Sequence, residues 1–164
     1  MPRPLVIAHH IIWTAYGWWL PNDPRGSGSH QVRSDVLAKL GQLHFGRKKV
    51  QPPRQVIREF YENARSRLRH DVRTFTIGDR CRIGESFARV MVSEKYTCYD
   101  CVIMPDHVHL LIRKHRHQFE DITENLKQAG RESLITSDWP EGHPVWTVGC
   151  WSVRSEEHTS ELQS

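Results

Sequence analysis

His107 and His109 are separated by one valine, inside the run VIMPDHVHLLIR at residues 102–113. On a strand, successive side chains point to opposite faces, so residues two apart share a face. The two imidazoles would then project together while Val108, Leu110 and Ile112 turn into a core. Two imidazoles side by side on a rigid strand form half of a divalent-metal site. The same spacing also suits a strand that carries two solvated histidines and no ligand. Asp106 follows Pro105 at the corner before the pair, where an aspartate suits a turn or the orientation of a neighbouring imidazole. Cys98 and Cys101 have zinc-knuckle spacing, but no second such pair follows. On a regular strand that spacing puts the thiols on opposite faces, so they are expected to be buried or idle.

The elements that must position these residues follow from periodicity. Residues 5–16 are apolar and β-branched and read as a first strand. His9 and His10 lie within it, and alternation allows one of them to share the face of the later pair. A half-buried histidine is the plainer reading of both. Residues 17–29, with three glycines and two prolines, form a loop. Its Trp18, Trp19 and Arg25 could stack on and pair with nucleotides, or the tryptophans could cap the core. A short helix is expected near residues 34–42, and a better one over 53–68 with Val56, Ile57, Phe60, Tyr61, Ala64 and Leu68 on one stripe. Its arginines (Arg54, Arg58, Arg65 and Arg67, with Arg69 just beyond it) form a solvated basic face or a phosphate contact. A weak strand over 72–77 precedes a helix over 79–95, with Asp79 as N-cap and Ile83, Phe87, Val90 and Met91 inward. Strands over 96–104 and 107–113 flank the Pro-Asp corner. A helix over 119–135 turns Phe119, Ile122, Leu126 and Ala129 inward, and Lys127 and Arg131, four apart, make a basic ledge. Residues 145–153 form the last strand.

Without the insertion at about 17–78, the order is βαββαβ. That pattern predicts an α+β, ferredoxin-like (RRM-like) domain: an antiparallel sheet with two helices on one face and the first and third strands central. The histidine pair would lie on the part of the sheet the helices leave uncovered. The 164 residues suit one domain, and Lys plus Arg number 23 against 19 Asp plus Glu, a net charge of +4 compatible with a polyanionic partner. No apolar run is long enough to cross a membrane, and the start of the chain does not read as a signal peptide. Four scattered cysteines suit a reducing cytoplasm rather than a disulfide framework.

The run at residues 102–113 closely resembles the motif segment of the HUH-type single-tyrosine transposases, including the REP-associated tyrosine transposases of bacteria. Residues 10–26 (HIIWTAYGWWLPNDPRG) are similar to the first-strand signature of a subgroup of them. Asn125-Leu126-Lys127 and Pro144-Val145-Trp146 give a third, shorter match, so the resemblance spans most of residues 5–153. The resemblance implies metal-dependent cleavage and rejoining of single-stranded DNA at hairpin-forming ends. His107 and His109 would hold one Mg²⁺ or Mn²⁺, and a tyrosine would attack the phosphate to leave a 5′-phosphotyrosine and a free 3′-hydroxyl. It also implies that Arg25, Trp18, Lys127 and Arg131 contact DNA, and that an intact member works as a homodimer. A domesticated relative that binds hairpin or single-stranded DNA without cutting is the alternative. A metal hydrolase built on the same His-x-His would need further His or Asp ligands close by.

The chain departs from that pattern in one respect. The family's nucleophile lies on a helix after the histidine pair, whereas Tyr16, Tyr61, Tyr96 and Tyr99 all precede it. Residues 154–164 (RSEEHTSELQS) resemble a translated sequencing adapter and are expected to stand outside a transposase domain of residues 1–153. Leaving them out raises the net charge to +6. The chain is therefore expected to be truncated, to keep the metal half-site and much of its DNA-binding surface, and to be inactive in cleavage.

Overall fold

The computed structural model describes residues 5–157. Its strands are β1 (Leu5–Thr14), β2 (Cys98–Ile103), β3 (His107–Arg113) and β4 (Trp151–Glu157). Its helices are α1 (Asp35–Ala38), α2 (Arg54–Arg65), α3 (Ile77–Ser93) and α4 (Phe119–Ile135). The strands form one antiparallel sheet in the order β2-β3-β1-β4, so β1 and β3 are central. The domain is α+β, with α3 and α4 packed together over the sheet.

Alternation explains which face is covered. Ile11 and Trp13 of β1 and Val108, Leu110 and Ile112 of β3 are buried with Ile83 and Phe87 of α3 and Ile122, Leu126 and Leu134 of α4. Phe75, Val145 and Trp146 close the same core from the loops. Trp13 meets Phe87 at 5.8 Å and Trp146 at 6.2 Å between ring centroids, in the tilted and edge-on arrangements aromatic rings favour. Gly130 allows this packing, because a β-carbon there would stand 3.1 Å from Trp146 and 3.3 Å from Phe87.

Helix ends follow local chemistry. Thr76, rather than the expected Asp79, caps α3. Asp79 instead occupies the third helical position and returns a bond to the Thr76 backbone, forming a capping box that starts the helix two residues early. Glu120 and Asp121 in the first turn of α4 offset the helix dipole where Gln118 gives no side-chain cap. Ser34 caps α1, which ends well short of the expected residue 42.

Three expectations change. Residues 72–76 are irregular rather than a strand, and Phe75 N–H donates to the Pro105 carbonyl at 2.7 Å, anchoring the segment under the Pro-Asp corner. The last strand runs from Trp151 to Glu157 rather than over 145–153. Four residues expected to stand outside the fold therefore pair with β1: Arg154 with His9, Ser155 with Ala8, Glu156 with Val6 and Glu157 with Leu5. Residues 158–164 lie outside the described part. A bulge between Cys98 and Asp100 shifts the register of β2, so Cys98 pairs with Ile112 and Cys101 with Leu110. Both thiols thus share the core-facing side rather than opposite faces, and burial pushes Cys101 up to about 12.

The insertion makes a second, smaller core of Leu20, Phe60 and Ala64, with Leu37, Leu40, Tyr61 and Leu68 around it. Helix α2 packs on the loop after β1 through this cluster.

Candidate metal half-site on the open sheet face

The uncovered face carries the residues that alternate with the core. Register places Val102, His109, Ile12 and Trp151 in one row across β2, β3, β1 and β4. Leu111, His10 and Val153 form the next row, and His107 pairs with Thr14 on the other side. His107 and His109 share this face, as their spacing predicts.

Their ring nitrogens converge. His107 Nε2 stands 3.0 Å from His109 Nε2, with the rings nearly edge to face. Two imidazole nitrogens bound to one ion at about 2.1 Å and a right angle stand ~3.0 Å apart. The separation therefore fits a shared divalent ion. Behind the pair, His107 Nδ1 is 2.6 Å from Asp106 Oδ1, so His107 donates there and leaves its Nε2 lone pair facing His109. A carboxylate behind a ligating imidazole is the usual way of fixing its tautomer. Behind His109, Nδ1 lies 3.1 Å from Nε2 of His10. Burial first, then the proximity of His107 and His10, lowers the pKa of His109, which favours the neutral ring a metal needs. Among the described residues no group of three or more His, Cys, Asp or Glu side chains could enclose an ion. Two histidines can hold one; the remaining coordination positions would fall to water or to oxygen atoms of a ligand.

His10 is a residue that the sequence left undecided. Its Cα partner is Leu111, so it reaches His109 diagonally across the sheet. The His9 ring turns instead to the core side, 5.4 Å from Phe119.

The other expected site residues do not gather here. Trp18 is half-buried against the core, its Nε1–H donates to Arg73 O at 3.1 Å, and Arg65 lies 6.0 Å from its ring. The Trp18 carbonyl accepts from Oγ1 of Thr14, the residue that pairs with His107, at 3.0 Å. Arg25 makes two bonds to the carboxylate of Asp23, at 2.9 and 2.7 Å, and stacks 4.0 Å from the Trp19 ring. Asp23 is fully buried, and Tyr61 also donates its hydroxyl to it. The bond to Asp23 raises the Arg25 pKa, and burial ahead of the Asp23 charge raises that of Tyr61.

Lys127 does not form a surface ledge with Arg131. It is buried, and its ammonium donates to Thr147 O at 2.8 Å and Gly149 O at 2.5 Å. Desolvation lowers its pKa against the pull of Glu124, 3.6 Å away. Its work in the fold is to tie α4 to the segment leading into β4. Arg131 lies on the surface, donating to Gln128 at 2.8 Å.

Among the described residues, no helix is long and apolar enough to cross a membrane. No protein-family model matches the chain, and no curated protein matches it. Among solved structures, the fold is similar to a Deinococcus radiodurans R1 protein described as a putative transposase, at 18% identity and a TM-score of 0.44, over 97% of this chain and 85% of that one.

Proposed function

We propose that this protein is an HUH-type single-tyrosine transposase domain that binds single-stranded or hairpin DNA, with His107 and His109 holding Mg²⁺ or Mn²⁺ on the open face of a ferredoxin-like βαββαβ sheet. The observation that carries this reading is the 3.0 Å approach of the two Nε2 atoms with Asp106 behind them. Two Nε2 atoms that converge on one point beside a rigid strand suit a cation that also engages a phosphate oxygen. Bound there, the ion would supply Lewis-acid polarisation of that oxygen. The chain's own part is to hold the two imidazoles fixed, and to present them on a face that a polynucleotide can reach. The net charge of +4 supports a polyanionic ligand.

A non-cutting role for this chain by itself is favoured by its four tyrosines. Tyr61 gives its hydroxyl to Asp23, and Tyr96 is bonded to His117 and Asn125 at 2.8 Å each. Tyr16 packs between His70 and His143, and Tyr99 is exposed at the β2 bulge. None makes a hydrogen bond to the histidine pair. Binding is therefore expected without a covalent protein–DNA product.

Mn²⁺ titration followed by electron paramagnetic resonance, and hairpin-DNA binding with and without chelator, test both statements. His107→Ala and His109→Ala should each weaken Mn²⁺ by at least about 100-fold, because removing one of only two protein ligands costs no less than the top of the range for a supporting residue. Mn²⁺ affinity unchanged from the wild type in both variants removes the metal reading. A phosphotyrosine adduct from this chain in Mg²⁺ removes the non-cutting one.

A further inference from the structure

We infer that His10 is a positioning residue for the metal half-site: it accepts the Nδ1–H of His109 when an ion occupies both Nε2 atoms, and donates to the same nitrogen when none does. The inference rests on the metal reading above and adds to it a residue that contacts no ion.

The argument is an account of protons along one chain of contacts. From one end it runs Asp106 Oδ1, His107 Nδ1, His107 Nε2, His109 Nε2, His109 Nδ1, His10 Nε2. The Asp106 carboxylate only accepts, so a neutral His107 carries its proton on Nδ1 and offers a lone pair at Nε2. Without an ion, the 3.0 Å contact between the two Nε2 atoms needs a proton, and His109 must supply it. His109 Nδ1 is then an acceptor, and His10 Nε2–H fills it across 3.1 Å. With an ion, both Nε2 atoms present lone pairs, and the one proton of a neutral His109 sits on Nδ1. His10 must then turn from donor to acceptor, with its own proton on Nδ1, an atom free of hydrogen bonds among the described residues. Imidazole is one of few side chains that can do both from a fixed ring position. Asp106 cannot do this for His107, and does not need to, because His107 keeps one tautomer throughout.

His10 cannot instead complete the metal shell. Its Nε2 meets His109 on the Nδ1 side of the ring, away from the Nε2 atoms that converge. It lies in the row beyond His109, held there by β1–β3 register rather than by a loop. Its rigidity is that of a central strand, which is what a supporting partner requires.

The test compares His10→Phe, which keeps an aromatic ring but neither donates nor accepts, with His10→Gln, whose amide can flip to do either. The full chain is used, with folding checked by circular dichroism. His10→Phe should lose about tenfold to 100-fold in Mn²⁺ affinity, as for other supporting partners of metal ligands, and His10→Gln should recover most of it. Long-range ¹H–¹⁵N spectra of histidine-labelled protein give the second readout. In the wild type, His109 should be protonated at Nε2 without metal and at Nδ1 with saturating Mg²⁺. Unchanged affinity in His10→Phe, or a His109 tautomer that Mg²⁺ leaves alone, overturns the role of His10 while wild-type Mn²⁺ binding keeps the metal reading standing. A wild type that binds no Mn²⁺ overturns both.

Discussion

Between Leu20 and Ser27 the polar side chains look inward, and along the open face of β3 they look outward. Asp23 is fully buried, gripped by Arg25 and Tyr61, and Asn22 gives its amide to the carbonyls of Leu37 at 2.7 Å and Gly41 at 3.2 Å. This network joins the first loop to α1 and α2, and of its side-chain polar atoms only Asn22 Oδ1 is left buried without a partner. The histidine chain is satisfied only from behind, by Asp106 and His10, and its front atoms point at one another. Both regions hold residues that could meet a nucleic acid. One has turned them into scaffold, and the other keeps its electron pairs where a ligand can reach them. A motif conspicuous in the sequence is thus no guide to whether its charges are free.

Asp23→Ala should give the largest effect. It leaves the Arg25 guanidinium and the Tyr61 hydroxyl without their buried acceptor, a loss of about 3 kcal/mol in urea unfolding. Mn²⁺ affinity of the folded protein should not change. A variant that stays folded and loses the metal would break the contrast between the two regions.

Lys127→Met comes next, at about 2 kcal/mol, because two buried carbonyls lose their donor. Hydrogen exchange should rise in β4 more than in β2. Equal exchange in both strands would mean that the ammonium does not hold the β4 approach.

Asp106→Ala acts on the other region. It should cost about tenfold in Mn²⁺ affinity, or ~1.4 kcal/mol, with little change in unfolding. If it destabilises the fold as much as Asp23→Ala does, Asp106 belongs with the scaffold and not with the site.

The histidine pair was legible because it depends on strand period alone: two residues apart on a strand means one face, whatever the strand pairs with. Helix α4 runs over the predicted residues for a similar reason, since its apolar stripe extends the whole length of the helix. His10 was not legible. Its contact with His109 joins positions 99 apart and exists only through the register of β1 on β3. The shared face of Cys98 and Cys101 was hidden by a bulge that inserts one residue into the alternation. Lys127 looked like surface because it is charged and four residues from Arg131. Its row of the helix is covered by the segment before β4, whose carbonyls need a donor, and no local pattern announces that. The start of β4 was misplaced because residues 145–150 are as apolar as a strand but pack as a core-closing loop.

The smallest effect concerns the proton on Lys127. Its pKa is lowered from 10.5, so the folded chain gives up this proton at a lower pH than the unfolded chain does. Between those two values the unfolded state binds the proton and the folded state does not, so stability gains from this group as pH rises through the folded pKa. Below that pH the desolvation cost is present in full. Lys127→Met has no such group, so the advantage of the wild type over the variant should widen toward pH 10.5, by less than about 1.4 kcal/mol for each unit of depression. The Cys150 thiol, whose own pKa is raised first by burial and lowered somewhat by Lys127, is the neighbour that could imitate this slope. Placing Cys150→Ser in both backgrounds removes it. A gap that stays constant with pH in those backgrounds means that water reaches the ammonium, and then Lys127 would count with the outward-facing charges rather than with Asp23.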